Sequence, residues 1–181
     1  GERLIRLVNE ILDFSKLESG QLGTEDQTLN LKQLTEQSVA TFHSSFQDKG
    51  ILTETDLPTD PIYVKTDSKK VETILVNLVG NALKFTDEGG KVTVALRKED
   101  DLIKISVTDT GVGIKAEDLP KVFDRYYQVE QSEQKDKPTQ GGSGIGLALS
   151  QELARLLGGE LTVESEWGKG TTFTLLLPTT L

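Results

Sequence analysis

Two asparagines four residues apart stand inside the run Asn77-Leu78-Val79-Gly80-Asn81-Ala82-Leu83-Lys84-Phe85. That spacing places both amides on one face of a helix, and Lys84, three residues beyond Asn81, shares the same flank. Asparagine is a poor helix former, so two of them in an otherwise apolar helix need a reason. An amide oxygen is a hard ligand suited to Mg²⁺, and a lysine ammonium suits a phosphate. A buried asparagine that holds a backbone group or a register explains the pattern equally well.

Two further segments have chemistry of the same kind. Asp109-Thr110-Gly111-Val112-Gly113-Ile114 follows an apolar strand pattern. A carboxylate there can accept a hydrogen bond from an adenine amine, and glycine lets the backbone approach a flat ring. An ordinary strand-ending turn uses the same residue types. Gly141-Gly142-Ser143-Gly144-Ile145-Gly146-Leu147 directly precedes a helical pattern, and such a run presents free N–H groups to an anion. No strand precedes it, so it is not a dinucleotide fingerprint; no lysine follows its last glycine, so it is not a Walker-type loop. A flexible hinge is the competing reading.

The elements that must position these residues follow from periodicity. Leu4, Leu7, Ile11 and Phe14, with Ile5, Val8 and Leu12 beside them, predict a helix over 2–18 whose apolar face is wide enough to belong in a bundle. Strands are expected at 28–31, 51–56, 62–66, 92–97, 103–108, 161–165 and 171–177, and further helices at 31–47, 71–85 and 145–157. Asp67 and Ser68 are N-cap candidates. Residues 128–142 are polar and aperiodic, the pattern of a mobile loop. The expectation is an α+β fold, a two-layer sandwich of one mixed, mostly antiparallel sheet with three helices on one face, preceded by a helix from a helical bundle.

Composition narrows the classes. The formal charge of −9, with Lys and Arg scattered, argues against a nucleic-acid surface. The chain has no cysteine, so disulfide and thiolate chemistry are excluded, as suits a reducing cytoplasm. No apolar run reaches the roughly 20 residues that cross a bilayer. There is no methionine, even at position 1, so more chain is expected upstream.

Taken together, in this order and with these gaps, the three segments resemble the nucleotide-binding boxes of sensor histidine kinases. Asp67 through the 77–85 run is similar to the asparagine box, 109–114 to the first glycine box, Val122-Phe123-Asp124-Arg125-Tyr126 to the phenylalanine box and 141–147 to the second glycine box. Gly158-Gly159, Ser165, Gly168, Gly170, Phe173 and Leu177-Pro178 resemble the family's ending. Leu12-Asp13-Phe14-Ser15-Lys16-Leu17-Glu18-Ser19-Gly20 resembles the end of the second helix of the dimerisation and phosphoacceptor bundle.

The resemblance implies ATP and Mg²⁺ as cofactors. It gives Asn81 the metal, sets Asn77 and Lys84 at the phosphates as the catalytic pair, and has Asp109 select adenine. Gly111, Gly113 and Ile114 border the base. Gly142, Ser143, Gly144, Ile145, Gly146 and Leu147 close over the triphosphate, with a hinge at Gln140 to Gly142. Phe123 anchors that segment to the core, and Arg125 and Tyr126 face the nucleotide or the phosphoacceptor helix.

The implied domains are 1–24, bundle helix and linker, and 25–181, the ATP-binding catalytic domain. The implied partners are ATP, the phosphoacceptor bundle of the same dimeric protein and a response regulator receiver domain. Neither nucleic acid nor, except through upstream segments, a membrane is among them. The chain reads as the cytoplasmic portion of a membrane-anchored sensor.

The sequence departs from a whole kinase in lacking the acceptor. His43, the only histidine, is followed by Ser44 and Ser45, where the family has an acidic residue after its acceptor. It is therefore read as a surface or boundary residue. Hydrolytic ATPases of the same fold carry a glutamate base where this chain has Asn77, and an amide cannot take a proton from water. Serine-directed kinases of that fold are disfavoured by the bundle-like helix. A non-catalytic interaction module is disfavoured because every expected box is intact.

Overall fold

A computed structural model describes residues 2–125, 127 and 144–179. Helix α1 (Glu2–Glu18) ends where the Gly20 N–H donates to the Leu17 carbonyl and Gln21 to that of Lys16. Its wide apolar face is divided. Leu7, Phe14 and Leu17 pack against the rest of the molecule, while Leu4, Ile5, Val8, Ile11 and Leu12 stay exposed.

A short antiparallel ribbon follows, made of β1 (Gln27–Asn30) and β3 (Tyr63–Thr66), and it stands apart from the main sheet. The expectation of one sheet is corrected here: β1 and β3 are four residues each and pair only with one another.

The helix expected over 31–47 is two helices, α2 (Leu31–Ala40) and α3 (His43–Lys49). The hydroxyls of Thr35, Ser38 and Thr41 donate to the carbonyls of Leu31, Leu34 and Gln37, one turn back in each case. Such back-bonding competes with the helical ladder and bends it. The Phe42 N–H then drops to an i−3 bond on Val39, and the chain restarts at His43, which is exposed.

Helix α4 (Ser68–Phe85) is the central helix, with Val71, Ile74, Leu75, Leu78, Val79 and Ala82 buried. Its start is strongly specified. Asp67 accepts from the Lys69 and Lys70 N–H groups, from the Glu25 N–H and from Lys70 Nζ at 2.8 Å. Burial pushes the Asp67 carboxyl upward, but these hydrogen bonds and the Lys70 charge outweigh it and hold the group below its ordinary range. A carboxylate depressed on folding stabilises the native state above its unfolded pKa, near 3.9, and that contribution is lost as pH falls through the lower folded value. Asp67→Ala is expected to cost about 1–2 kcal/mol in denaturant unfolding at pH 7. The gap to wild type should close below about pH 4.

The main sheet contains β2 (Leu52–Asp56), β4 (Lys91–Glu99), β5 (Leu102–Asp109), β6 (Glu160–Glu166) and β7 (Gly170–Pro178), in the order β2-β4-β5-β7-β6. Only β2 and β4 run parallel. Alternation decides its faces. Val92, Val94, Leu96, Ile103, Ile105, Val107, Phe173, Leu175 and Leu177 all point into the core, where α4 and α5 (Gly146–Leu156) cover them. The two-layer α+β sandwich is the architecture expected. Among the described residues, no helix is long and apolar enough to cross a membrane.

Candidate functional site

The turn after β5 is built around Asp109. This side chain is 7% exposed, and its Oδ1 accepts the Gly111 N–H at 2.9 Å. Burial raises its pKa above the ordinary carboxylate range, opposed by hydrogen bonds from the Gly111 and Thr171 backbones. Thr171 is its register partner across β5 and β7. Among the described residues no cation faces it, and a buried carboxylate so placed is costly to keep, which marks the position as a candidate for ligand recognition.

The two glycines of this turn are required by the protein itself. A Cβ on Gly111 would lie 2.3 Å from the Phe85 carbonyl oxygen at the end of α4. Gly113 has φ +75°, and a Cβ there would lie 2.2 Å from the Glu166 carbonyl oxygen. From the sequence, both glycines suit either the approach of a flat ring or an ordinary strand-ending turn; the chain's own packing already demands them. Ser165 fixes the far side of the turn. Its hydroxyl accepts the Ile114 N–H at 2.7 Å, donates to the Gly170 carbonyl at 2.8 Å and lies 2.8 Å from Thr171 Oγ1. Sequence reasoning placed Ser165 only in the family's ending, with no role in the site.

At the middle of α4, two turns before Phe85, Asn77 is buried and committed. Its Nδ2 donates to the Gly146 carbonyl at 3.2 Å and to Ser150 Oγ at 2.9 Å, so it joins α4 to the first turn of α5. Its Oδ1 accepts from Arg6 of α1 at 3.4 Å. The reading of Asn77 as a structural asparagine is thus satisfied on the Nδ2 side, and only its oxygen faces outward from that joint. Ser150 and Arg6 were not anticipated; neither has a helix-face signature that separates it from an ordinary polar residue.

Asn81 lies one turn further along α4 and is partly exposed. Lys84 is partly exposed too, its Nζ 5.0 Å from the centroid of the Phe85 ring. Gly144, Ile145, Gly146 and Leu147 lead into α5, with Ile145 buried. Isoleucine has no side-chain oxygen with which to cap, whereas α2 and α4 are capped by Asn30 and Asp67. Ile145 itself supplies no side-chain cap, and a helix N-terminus of this kind favours an anion.

Phe123 packs edge-to-face on Phe173 of β7, with ring centroids 6.2 Å apart. Arg125 reaches α1, lying over the Phe14 ring at 3.8 Å and pairing with Glu18. Tyr126, Gly142, Ser143, the expected loop over 128–142 and the hinge at 140–142 lie outside the described residues.

An open cleft of about 550 Å³ lies beside the Asp109 turn, lined by Asp87, Glu88, Thr110, Gly111 and Trp167 among others. It shares Gly111 with the constellation above but none of Asn77, Asn81, Lys84 or Asp109. The chemistry therefore points to the strip along α4, and the cleft is not the candidate site.

Residues 66–181 match the family of histidine kinase-, DNA gyrase B- and HSP90-like ATPases. The chain belongs to this family. As an ATPase-family domain it is also similar, beyond the matched residues, to histidine kinases. It is 36% identical to the sensor histidine kinase WalK of Bacillus subtilis, over 98% of this chain and 29% of that protein. It is 39% identical to the non-motile and phage-resistance protein of Caulobacter vibrioides, over 98% of this chain and 21% of that protein. Full-length ShkA in complex with AMPPNP superposes with a TM-score of 0.86 at 27% identity, over 98% of this chain and 36% of that one. The ATPase-family domain thus spans less than a third of the length of these curated relatives.

Proposed function

We propose that this domain binds Mg-ATP along α4 and presents its γ-phosphoryl group to a histidine on a helical bundle continuous with α1. The phosphoryl group then passes to an aspartate of a response regulator receiver domain. One observation carries this reading. Helix α4 meets the buried Asp109 turn at Phe85, through Gly111, and meets the α5 N-terminus at Asn77, through Gly146. Eight residues of helix separate these points, about 12 Å at 1.5 Å per residue, which is the span from a purine to its terminal phosphate in an extended triphosphate. A hydrogen-bond acceptor for adenine stands at one end and an anion-favouring helix terminus at the other.

The donor set fits Mg²⁺. Among the described residues, no cluster of three His, Cys, Asp or Glu side chains could hold a metal by itself. Mg²⁺ keeps several waters and takes few protein oxygens beside substrate phosphates, so the amide oxygen of Asn81 would be the protein's share of its ligands; the ion would supply charge neutralisation at the phosphates. The protein's contribution is positioning and electrostatics. A histidine nitrogen attacks the γ-phosphorus in line, the bond from that phosphorus to the bridging oxygen breaks, and ADP leaves. Lys84 would add charge along the phosphates. Hydrolysis is disfavoured because Asn77 stands where a base would be needed, and its Nδ2 is occupied by α5.

We place the catalytic unit at 25–181 and the bundle segment at 1–24. Residue 25 already donates to the α4 cap, and the β1–β3 ribbon leads into α4, so chain upstream of the matched residues is integral to the site's support. The ShkA likeness with AMPPNP supports the nucleotide; ThkA, described in complex with its response regulator TrrA, shares the fold at a TM-score of 0.79 and 23% identity.

Titration with Mg-AMP-PNP followed by amide NMR should shift resonances at 77–84, 109–114 and 144–147 together. Incubation with γ-labelled ATP should leave this chain unlabelled. No shifts at millimolar nucleotide, or acid-labile phosphate on His43, would overturn the reading.

A further inference from the structure

The guanidinium of Arg6 is the one polar group of α1 seen to touch the α4–α5 joint among the described residues. Its Nε edge pairs with Glu10 at 3.7 Å, which turns the other edge toward Asn77 Oδ1 at 3.4 Å. That second contact is long for a hydrogen bond, and its acceptor is neutral. The Arg6 side chain remains 55% exposed, so an incoming ligand can reach it. Helix α1 is held in this place by the Arg125–Glu18 pair, by Arg125 over Phe14, and by Leu7, Phe14 and Leu17 against the core.

We infer that Arg6 is a binding residue for the terminal phosphate, a cation supplied from α1 to the site on α4. The inference rests on the Mg-ATP reading above. In that reading the adenine lies at the Phe85 end of α4 and the chain of phosphates runs toward Asn77, so Arg6 flanks the last phosphate and not the base. A fully charged phosphate oxygen is a stronger acceptor than the amide oxygen Arg6 touches now, and arginine offers it two parallel N–H donors. The exchange leaves Asn77 still bonded to Gly146 and Ser150 through Nδ2. A domain of net charge −9 binding a polyanion gains from each cation it can place there. The nucleotide with its γ-phosphate should in turn favour the seated position of α1, because coupling between two binding events is reciprocal.

The test compares Mg-AMP-PNP with Mg-ADP by titration calorimetry on the whole chain. Arg6→Gln should weaken Mg-AMP-PNP about fivefold to tenfold and Mg-ADP by less than about twofold. Arg6→Lys should recover part of the loss, since it restores the charge but not the two parallel donors. The selective loss should also shrink in high salt. Equal loss for both nucleotides, or no rescue by lysine, would show that Arg6 only orients Asn77 and would overturn the proposal. Unchanged affinity for both in Arg6→Gln would overturn it as well. Failure of the wild-type chain to bind either nucleotide would instead remove the Mg-ATP reading on which it stands.

Discussion

Asp109→Asn is expected to weaken adenine nucleotide binding by about 1.5–3 kcal/mol, tenfold to more than a hundredfold, while leaving the fold at least as stable as before. The two effects have opposite signs for one reason. Asp109 is buried, and burial raises its pKa even against the hydrogen bonds from Gly111 and Thr171. A native state that holds its proton to higher pH than the unfolded chain loses stability as pH rises from the unfolded value through the folded one. Above that window the ionised carboxylate is a standing cost, and asparagine removes it while its amide oxygen can still accept the Gly111 N–H. What asparagine lacks is the charge that strengthens a hydrogen bond from an adenine amine. Calorimetry on wild type and variant, with denaturant unfolding at pH 7.5, tests both halves. Unchanged affinity would remove Asp109 from the base-recognition role. Marked destabilisation would show that its charge is structurally required.

Gly113→Ala should be the most damaging small substitution in the turn. Alanine at φ +75° costs about 1–2 kcal/mol by itself. Its methyl would also lie 2.2 Å from the Glu166 carbonyl oxygen, a backbone atom of β6 that cannot swing aside. Together these should cost about 3 kcal/mol, a fall of roughly 10 °C in Tm. Gly89→Ala provides the control. Its φ is +86°, but a Cβ there would meet nothing within 4 Å, so about 1 kcal/mol of conformational cost is all that should appear. Similar melting temperatures for the two variants would mean that the turn relaxes away from β6.

Much of this site was legible in the chain because the relevant signals are local. The Asn77–Asn81 spacing, the Asp109 turn and the glycines before α5 are each contained within a few residues, and helix periodicity puts Asn77 and Asn81 on one flank of α4. The N-cap at Asp67 was readable for the same reason. What could not be read depends on partners distant in sequence. Nothing near Asn77 announces Ser150 or Arg6, which lie 73 and 71 residues away. The place of Gly113 against Glu166 likewise requires knowing that β7 lies between β5 and β6. The break between α2 and α3 was missed although its cause is local, because the apolar spacing of Leu34, Val39, Phe42 and Phe46 outweighed the three back-bonding hydroxyls. The β1–β3 ribbon was missed as a separate unit because strand identity does not reveal which strand it pairs with.

The order β2-β4-β5-β7-β6 has a consequence for biosynthesis. Strand β7 leaves the ribosome after the other strands of this sheet, yet it occupies a central place with neighbours on both sides. Until it emerges, β5 has one open edge, β6 has no partner, and Asp109 has no Thr171 across from it. Co-translational intermediates should therefore expose apolar edge and lack nucleotide affinity until the last strand is inserted. The recognition site matures only with the final strand of this sheet, even though most of the residues that form it were made before it.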